Sequence, residues 1–450
     1  MTGDANEPPG LRKIVALVLG LRIFLGKGEL APMRGTGNLR GQALCFRQVR
    51  PSPWEASSPM KAITLLQPKR ITFGNGCAQT CVGDIQALGL RRVFMVTSPP
   101  VLGHAEPIAG ALRQAGVSVD LYSAVSNEPT IDTLGEVLAE ARSLAPDAVI
   151  GIGGGSCLDV AKLVAALHDG QQDVRELFGV NLLAGRRTYL ACLPTTSGTG
   201  SEVSTNAVLL DGAAQLKKTV VSPHLVPDAA YVDPTLTVTV PPGLTATTGM
   251  DALTHCIEAL ANRNAHPTID LYALQGVRLI GANLARAVAH GDDLQAREAM
   301  ALGSLYGGFG LGPVGMAAVH ALAYPLGGEF HVAHGTANAL LLPHVMAHNL
   351  PAMPERYAEI AVAMGAQPGD SPLVTAQRGL ERVRELSREC GIPSRLSQFG
   401  VPEEAIPRMA RAATGIARLM RNNPRELSAT DAEAIYRAAY GKSYCGFSSD

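Results

Sequence analysis

Histidine is concentrated in one stretch of this 450-residue chain, and an Asp-His pair with helical spacing precedes that stretch. Five of the eleven histidines lie between positions 320 and 348: His320, His331, His334, His344 and His348. Asp251 and His255, in GMDALTHCIEAL, are four residues apart, so both side chains project from one helix face. One carboxylate and three imidazoles favour Fe²⁺ or Zn²⁺ over Mg²⁺ or Ca²⁺. The candidate set is Asp251, His255, His320 and His334. Ordinary core histidines are the alternative, but a buried carboxylate without a cation is costly.

A glycine cluster lies between the apolar run AVIGI and a helical pattern that carries Asp159 and Lys162. Glycines let a pyrophosphate approach the backbone, and the unpaired N–H groups of a helix N-terminus favour its negative charge. The spacing departs from G-x-G-x-x-G because Ser156 holds the last position, and a purely structural turn is the alternative. The loop suits a diphosphate, and its glycines are Gly151, Gly153, Gly154 and Gly155.

A second polar loop, LPTTSGTGSEVS, follows another apolar run. Its hydroxyl side chains belong to Thr195, Thr196, Ser197, Thr199 and Ser201. Short hydroxyls and bare backbone N–H groups at the carboxyl end of a strand suit contacts with ribose, phosphate or a nicotinamide amide. A polar turn that caps a helix is the alternative.

Short β-rich runs alternate with helical patterns from Met60 onward, beginning with RVFMVT at 92–97 and continuing to 230–232. Continuous apolar strands that alternate with helices predict a doubly wound parallel sheet covered on both faces. After Pro241 and Pro242 the pattern changes to long apolar helices. We therefore expect an α/β dinucleotide-binding domain over 60–240 and an all-helical metal-binding, catalytic domain over 241–450.

Composition restricts the class of protein. Hydrophobic residues make up 46% of the chain and charged residues 17%, which excludes a disordered chain. The net charge of -1 and the 4% aromatic content disfavour nucleic-acid binding and a membrane belt. Eight cysteines without paired CxxC spacing predict reduced core thiols and a cytoplasmic location. A small-molecule enzyme is the best remaining class.

Residues 1–59 differ from the rest because they carry eight Lys or Arg against four acidic residues. Their apolar run at 14–26 is broken by Arg22 and is shorter than the roughly 20 residues needed to span a bilayer. Asp4 and Glu7 precede the basic pair, and no clean small-residue cleavage site follows, which disfavours an export signal. We expect this stretch to be a disordered tail or a spurious extension.

Five strings, in this order along the chain, resemble those of one family. They are GIGGGSCLDVAK, PTTSGTGSE, KKTVVSPHLVPDAAYVDP, GMDALTHCIEA and VHALAYPLGGEFHVAHGTANALLLPHV. Over about residues 61–440 the chain resembles the iron-containing (group III) alcohol dehydrogenases of the dehydroquinate synthase-like, glycerol dehydrogenase-like superfamily. The resemblance implies reversible hydride transfer between NAD or NADP and a primary alcohol or small hydroxy acid, with Fe²⁺ or Zn²⁺. It also implies a homodimer or higher homo-oligomer.

The resemblance also implies roles for individual residues. The family's metal ligands fall on the four residues grouped above, with His320 and His334 also assigned to catalysis. Its nucleotide-binding positions fall on Gly153, Gly154, Gly155, Ser156, Asp159, Thr195, Thr196, Thr199, Ser201 and, in SNEPT, Asn127. A cofactor-proximal lysine falls on Lys218, with Lys217 as the open alternative.

Two departures from the family pattern affect the chemistry. Tyr324 stands four residues after His320, where family members often have a histidine that relays a proton; Tyr324, a water or a ribose hydroxyl could take that role. Ser98 replaces an acidic residue that disfavours a 2′-phosphate, so NADP is not excluded and the choice between NAD and NADP stays open. Two alternatives share the fold: a maleylacetate reductase-like enzyme, disfavoured by the complete ligand set, and a dehydroquinate synthase-like lyase.

Overall fold

The structure is a computed structural model that describes residues 61–125, 128–170, 172–212 and 216–441. The prediction for residues 1–59 and the candidate Asn127 lie outside the described residues. The described residues all belong to one compact unit. The predicted boundary near residue 240 falls between the last strand and the first long helix, and the division into two domains stays a prediction.

Nine strands occupy the first part of the described chain. They are β1 (Arg70–Phe73), β2 (Arg92–Val96), β3 (Ser118–Tyr122), β4 (Ala148–Gly153), β5 (Gly179–Val180), β6 (Tyr189–Pro194), β7 (Asn206–Asp211), β8 (Leu216–Val221) and β9 (Ala229–Val232). Six of them form a parallel sheet in the order β1-β9-β6-β4-β2-β3. A second sheet, in the order β5-β8-β7, contains the antiparallel pair β7 and β8, and the strand pattern in the sequence did not separate it from the first.

Helices cover both faces of the parallel sheet, as predicted. They are α1 (Thr80–Ala87), α2 (Leu102–Gln114), α3 (Ile131–Leu144) and α4 (Gly155–Leu167). Successive side chains of β2 point to opposite faces. Val93 and Met95 pack in the cluster that includes Ile108 of α2. Phe94 packs on the other face, in the cluster that includes Leu134 of α3 and helix α4. Both faces are apolar, which confirms the doubly wound α/β arrangement.

The remainder of the described chain is helical. Its helices are α5 (Pro242–Leu260), α6 (Pro267–Ala289), α7 (Leu294–Leu311), α8 (Ala318–Phe330), α9 (His334–Asn349), α10 (Pro354–Ala363), α11 (Pro372–Glu389), α12 (Ile406–Thr414), α13 (Ala417–Met420) and α14 (Ala429–Tyr440). Pro242 suits the first position of α5, where the missing N–H has no intrahelical acceptor. From Gly249 to Leu260 every residue of α5 is buried, so the helix that carries Asp251 runs through the core. No described helix is both long and apolar enough to cross a bilayer.

One close backbone approach joins the second polar loop to the helical part. Gly200 has φ 61°, a left-handed conformation that favours glycine. A Cβ atom at Gly200 would collide with the Cα atom of Gly308 in α7, and a Cβ atom at Gly308 would lie 2.7 Å from Val203. Glycine at both positions therefore lets the loop lie directly on α7, which packs against α5.

Candidate metal and cofactor site

The four predicted metal ligands meet in the helical part. Asp251 and His255 project from α5, His320 from α8, and His334 begins α9. The Oδ1 atom of Asp251 lies 4.0 Å from Nε2 of His255, 3.7 Å from Nε2 of His320 and 3.8 Å from Nε2 of His334. The Nε2 atoms of His255 and His320 are 3.0 Å apart. We call these four residues the metal cluster.

The donor atoms of Asp251, His320 and His334 all lie within 4.8 Å of one another, a spacing that suits one divalent cation, and His255 approaches two of the three. Donor atoms about 2.1 Å from one tetrahedral ion lie about 3.4 Å from one another, close to the separations observed. The first three side chains are almost completely buried, whereas the side chain of His334 is 31% exposed, which leaves the cluster open on that side. Partial burial and the nearby charge of Lys217 lower the pKa of His334, so this imidazole stays neutral and keeps a lone pair. Despite its burial, the facing imidazoles hold the pKa of Asp251 at about 2, so it stays ionised.

Glu258 orients His320, a role that the motifs did not predict. It lies seven residues after Asp251 on the same helix face, and its side chain is buried. Its Oε2 atom is 2.7 Å from Nδ1 of His320 and also accepts the backbone N–H of Ala317 at 2.9 Å. Its Oε1 atom accepts the backbone N–H of Val319 at 2.7 Å. A carboxylate on Nδ1 fixes the proton there, which leaves Nε2 of His320 free to coordinate a metal.

Tyr324, the predicted proton relay, lies one helical turn after His320 and is 4% exposed. Its ring centroid is 6.4 Å from that of His334, so the side chain lies beside the metal cluster. The hydroxyl accepts a hydrogen bond from Nη2 of Arg418 at 3.3 Å, and the same Nη2 donates to Oγ1 of Thr219 at 3.0 Å. The position suits the predicted role, which stays a prediction.

The two neighbouring lysines of β8 point to opposite sides of the strand. Lys217 is 9% exposed, forms a 2.6 Å ion pair with Glu128, and its Nζ atom approaches Gly327 of α8. Lys218 instead pairs with Asp211 at 2.8 Å and lies over the ring of Phe178. Lys217, which the resemblance left as the alternative to Lys218, is therefore the lysine that faces the metal cluster.

The predicted nucleotide loops lie along one edge of the parallel sheet. Ser98 follows β2, Gly153 ends β4, and Thr195 follows β6, and these three strands are consecutive neighbours. The two polar loops touch each other, because a Cβ atom at Gly155 would lie 2.6 Å from the side chain of Thr199. A Cβ atom at Gly154 would lie 3.4 Å from the side-chain oxygen of Thr196. Ser156 lies in the first turn of α4, whose N-terminus offers unpaired N–H groups at this edge.

Asp159 and Ser201, both predicted cofactor contacts, form hydrogen bonds inside the protein. Oδ1 of Asp159 accepts the hydroxyl of Ser201 at 2.5 Å, and Oδ2 accepts the backbone N–H of Val208 at 2.9 Å. The buried Lys162 donates to the hydroxyls of Ser201 and Ser204 at 3.0 and 3.1 Å. This network ties α4 to the second loop. A direct cofactor contact by Asp159 or Ser201 stays a prediction.

The chain has the features of a dehydrogenase-type enzyme. They are a parallel sheet covered by helices, two glycine-containing loops at the carboxyl edge of that sheet, and a buried cluster of one carboxylate and three imidazoles. Residues 68–234 match the family model described as iron-containing alcohol dehydrogenase. Residues 245–440 match the model of the C-terminal part of the Fe-containing alcohol dehydrogenase family. The chain belongs to the iron-containing alcohol dehydrogenase family, and it is an oxidoreductase that acts on alcohols or aldehydes.

Relatives match over almost their whole length. The long-chain-alcohol dehydrogenase 1 of Geobacillus thermodenitrificans is 41% identical over 387 residues, which cover 85% of this chain and 98% of the relative. A crystal structure of 1,3-propanediol oxidoreductase has a TM-score of 0.82 at 35% identity and covers 84% of this chain and 100% of its own. The sulfoacetaldehyde reductase from Bifidobacterium kashiwanohense, crystallised in complex with NAD⁺, has a TM-score of 0.77 at 27% identity, with coverages of 85% and 100%.

Proposed function

We propose that this chain transfers hydride reversibly between NAD or NADP and a primary alcohol or its aldehyde, with Fe²⁺ held by the metal cluster. Zn²⁺ suits the same donors. The observation that carries the proposal is the convergence of one carboxylate and three imidazoles in the core, 3.0 to 4.0 Å apart in the pairs measured. Burial of the Asp251 carboxylate is costly, and a bound cation offsets that cost more fully than the hydrogen bond from Asn338 does.

Residues around the cluster support such a centre. Glu258 holds His320 in the tautomer that a ligand needs, and Asn338 donates to Oδ1 of Asp251 at 2.7 Å. A bound divalent cation supplies Lewis-acid polarisation of the substrate's carbonyl oxygen. Burial of Asp251 and His320 excludes water from the inner side, so substrate enters on the side where His334 is exposed. Tyr324 lies next to His334, and its hydroxyl is the candidate group to hold a proton.

Cofactor binding is proposed at the loop edge of the parallel sheet. The first turn of α4 and the adjoining second loop suit a diphosphate and a ribose, and the solved sulfoacetaldehyde reductase holds NAD⁺ on the same fold. Ser98 carries no negative charge at the end of β2, so we propose that both NAD and NADP bind. The six described cysteines are free and buried, which suits a reducing, cytoplasmic setting, and we retain a homo-oligomer as part of the proposal.

Substitution of one ligand tests the proposal. His320→Ala removes a fully buried donor, so it should abolish both the bound metal and aldehyde-dependent oxidation of NAD(P)H. His290→Ala, at an exposed position after α6, is the matched control and should leave both unchanged. Metal content and NAD(P)H absorbance are measured on the same preparations. Full turnover by His320→Ala would refute the metal centre.

A further inference from the structure

Arg418, on α13, lies near the metal cluster, and no described carboxylate is its partner. Its Nη2 atom donates to two neutral hydroxyls, Oγ1 of Thr219 and the hydroxyl of Tyr324. Within the described ranges no carboxylate forms an ion pair with it, and its Nε and Nη1 donors make no hydrogen bond to protein. A partly buried guanidinium without a carboxylate partner favours the binding of an anion.

Lys217, the other positively charged side chain near the metal cluster, is paired with a carboxylate. Lys217 and Thr219 are two residues apart on β8, so they share a strand face, and that face packs against α8. The 2.6 Å ion pair with Glu128 neutralises Lys217. Arg418 therefore supplies a positive charge near the metal cluster that no carboxylate of the described residues balances.

The guanidinium is close enough to the metal cluster to share one small ligand with it. Tyr324 spans the gap, because its hydroxyl accepts from Arg418 while its ring lies 6.4 Å from that of His334. The guanidinium therefore lies one tyrosine side chain away from the cluster, and a chain of a few carbon atoms can join the two.

We propose that Arg418 binds a carboxylate at the far end of the substrate, so that this enzyme reduces short oxo acids and oxidises the matching hydroxy acids. The inference rests on the proposed function and narrows its substrate class. In the reduction, the aldehyde carbon receives hydride from NAD(P)H and its oxygen receives a proton from the solvent side. The coenzyme leaves as NAD(P)⁺, and the carboxylate is unchanged. Charge-assisted hydrogen bonds from arginine suit a carboxylate.

The test compares two aldehydes of equal chain length, 4-oxobutanoate and butanal, in the Fe²⁺-loaded enzyme. Arg418→Met should lower kcat/KM for 4-oxobutanoate about 100-fold, mainly through KM, because the anion then lies in a site without its partner. Any effect that acts through the hydrogen bond from Arg418 to Tyr324 is common to both aldehydes, so the ratio of kcat/KM for 4-oxobutanoate to kcat/KM for butanal should still fall at least about 30-fold. Arg418→Lys should recover part of the loss. The matched control is Arg421→Met, at an exposed position three residues away.

Binding to the wild-type enzyme provides a readout that needs no variant. Succinate should inhibit butanal reduction competitively with respect to the aldehyde, and an uncharged diamide of the same length should not. Equal losses for both aldehydes in Arg418→Met, or no inhibition by succinate, would overturn the inference. If the wild type reduces butanal with a kcat/KM as high as that for 4-oxobutanoate, only the proposed substrate class is wrong. If it reduces neither aldehyde, the proposed function fails as well.

Discussion

Glu258→Gln perturbs the metal cluster without touching a ligand. The wild-type carboxylate accepts three hydrogen bonds, from Nδ1 of His320 and from the backbone N–H groups of Ala317 and Val319. Glutamine has one acceptor oxygen, so its amide N–H₂ faces either His320 and the N–H of Ala317, in the place of Oε2, or the N–H of Val319, in the place of Oε1. The two backbone groups cannot become acceptors, whereas His320 can, by moving its proton from Nδ1 to Nε2. That tautomer has no lone pair directed at the cluster.

The expected effect on metal binding follows from this competition. Changes in partners that orient a ligand typically cost 10- to 100-fold in metal affinity, which is about 1.4 to 2.7 kcal/mol. We expect the upper half of that range for Glu258→Gln, because its side chain is only 6% exposed and water cannot replace the lost acceptor. The fold should survive, since glutamine keeps the volume of glutamate and can still accept one of the two backbone N–H groups at the start of α8.

The assay is a competition titration of the metal-free protein with Fe²⁺ and a chelator of known affinity. Glu329→Gln, on the exposed part of α8, is the matched control and should keep the wild-type affinity. Circular dichroism at 222 nm checks that both variants are folded. A wild-type affinity in folded Glu258→Gln would refute the reasoning that this carboxylate sets the tautomer of His320.

Two further predictions concern buried charges. Burial raises the pKa of Glu202 from 4.5 to about 7, so the folded protein holds a proton that the unfolded chain releases, and stability falls between pH 4.5 and 7. This contribution to the free energy of unfolding is about 3 kcal/mol. Urea unfolding at pH 5 and at pH 8 should show the loss in the wild type and not in Glu202→Gln, and an identical pH dependence in both proteins would contradict this. Lys217→Met should lower kcat/KM at least about 10-fold, because it leaves the partly buried negative charge of Glu128 without its partner. Lys218→Met should stay within about 2-fold, since its ion pair lies on the other side of β8, and equal losses would contradict the assignment.

Residue spacing was sufficient to predict those features of the fold and of the candidate site whose pattern lies within one helix or strand. The i, i+4 relation of Asp251 and His255 and the apolar strands of the parallel sheet are local patterns. The structure shows the four candidate ligands close together and the sheet covered on both faces. Alternation alone did not separate β7 and β8 into their own sheet, because a strand pattern does not state its pairing partner.

Contacts between distant segments were not predictable from one sequence. Glu258 shares a helix face with Asp251, a signal that could have been used, but its bond to His320 joins residues 62 positions apart. The choice between Lys217 and Lys218 depends on which face of β8 packs on α8. Arg418 reaches Tyr324 from a short helix 94 residues later, and nothing in the local pattern indicates this.

Stoichiometric reconstitution tests the central claim most directly. Wild-type protein is stripped with a chelator, and Fe²⁺ is added in steps while aldehyde-dependent oxidation of NADH and NADPH is followed. The metal cluster predicts negligible turnover in the stripped protein and full recovery at one Fe²⁺ per chain, with no recovery in His320→Ala. Full turnover in the stripped wild type, or recovery in His320→Ala, would contradict a hydride-transfer enzyme built around this cluster.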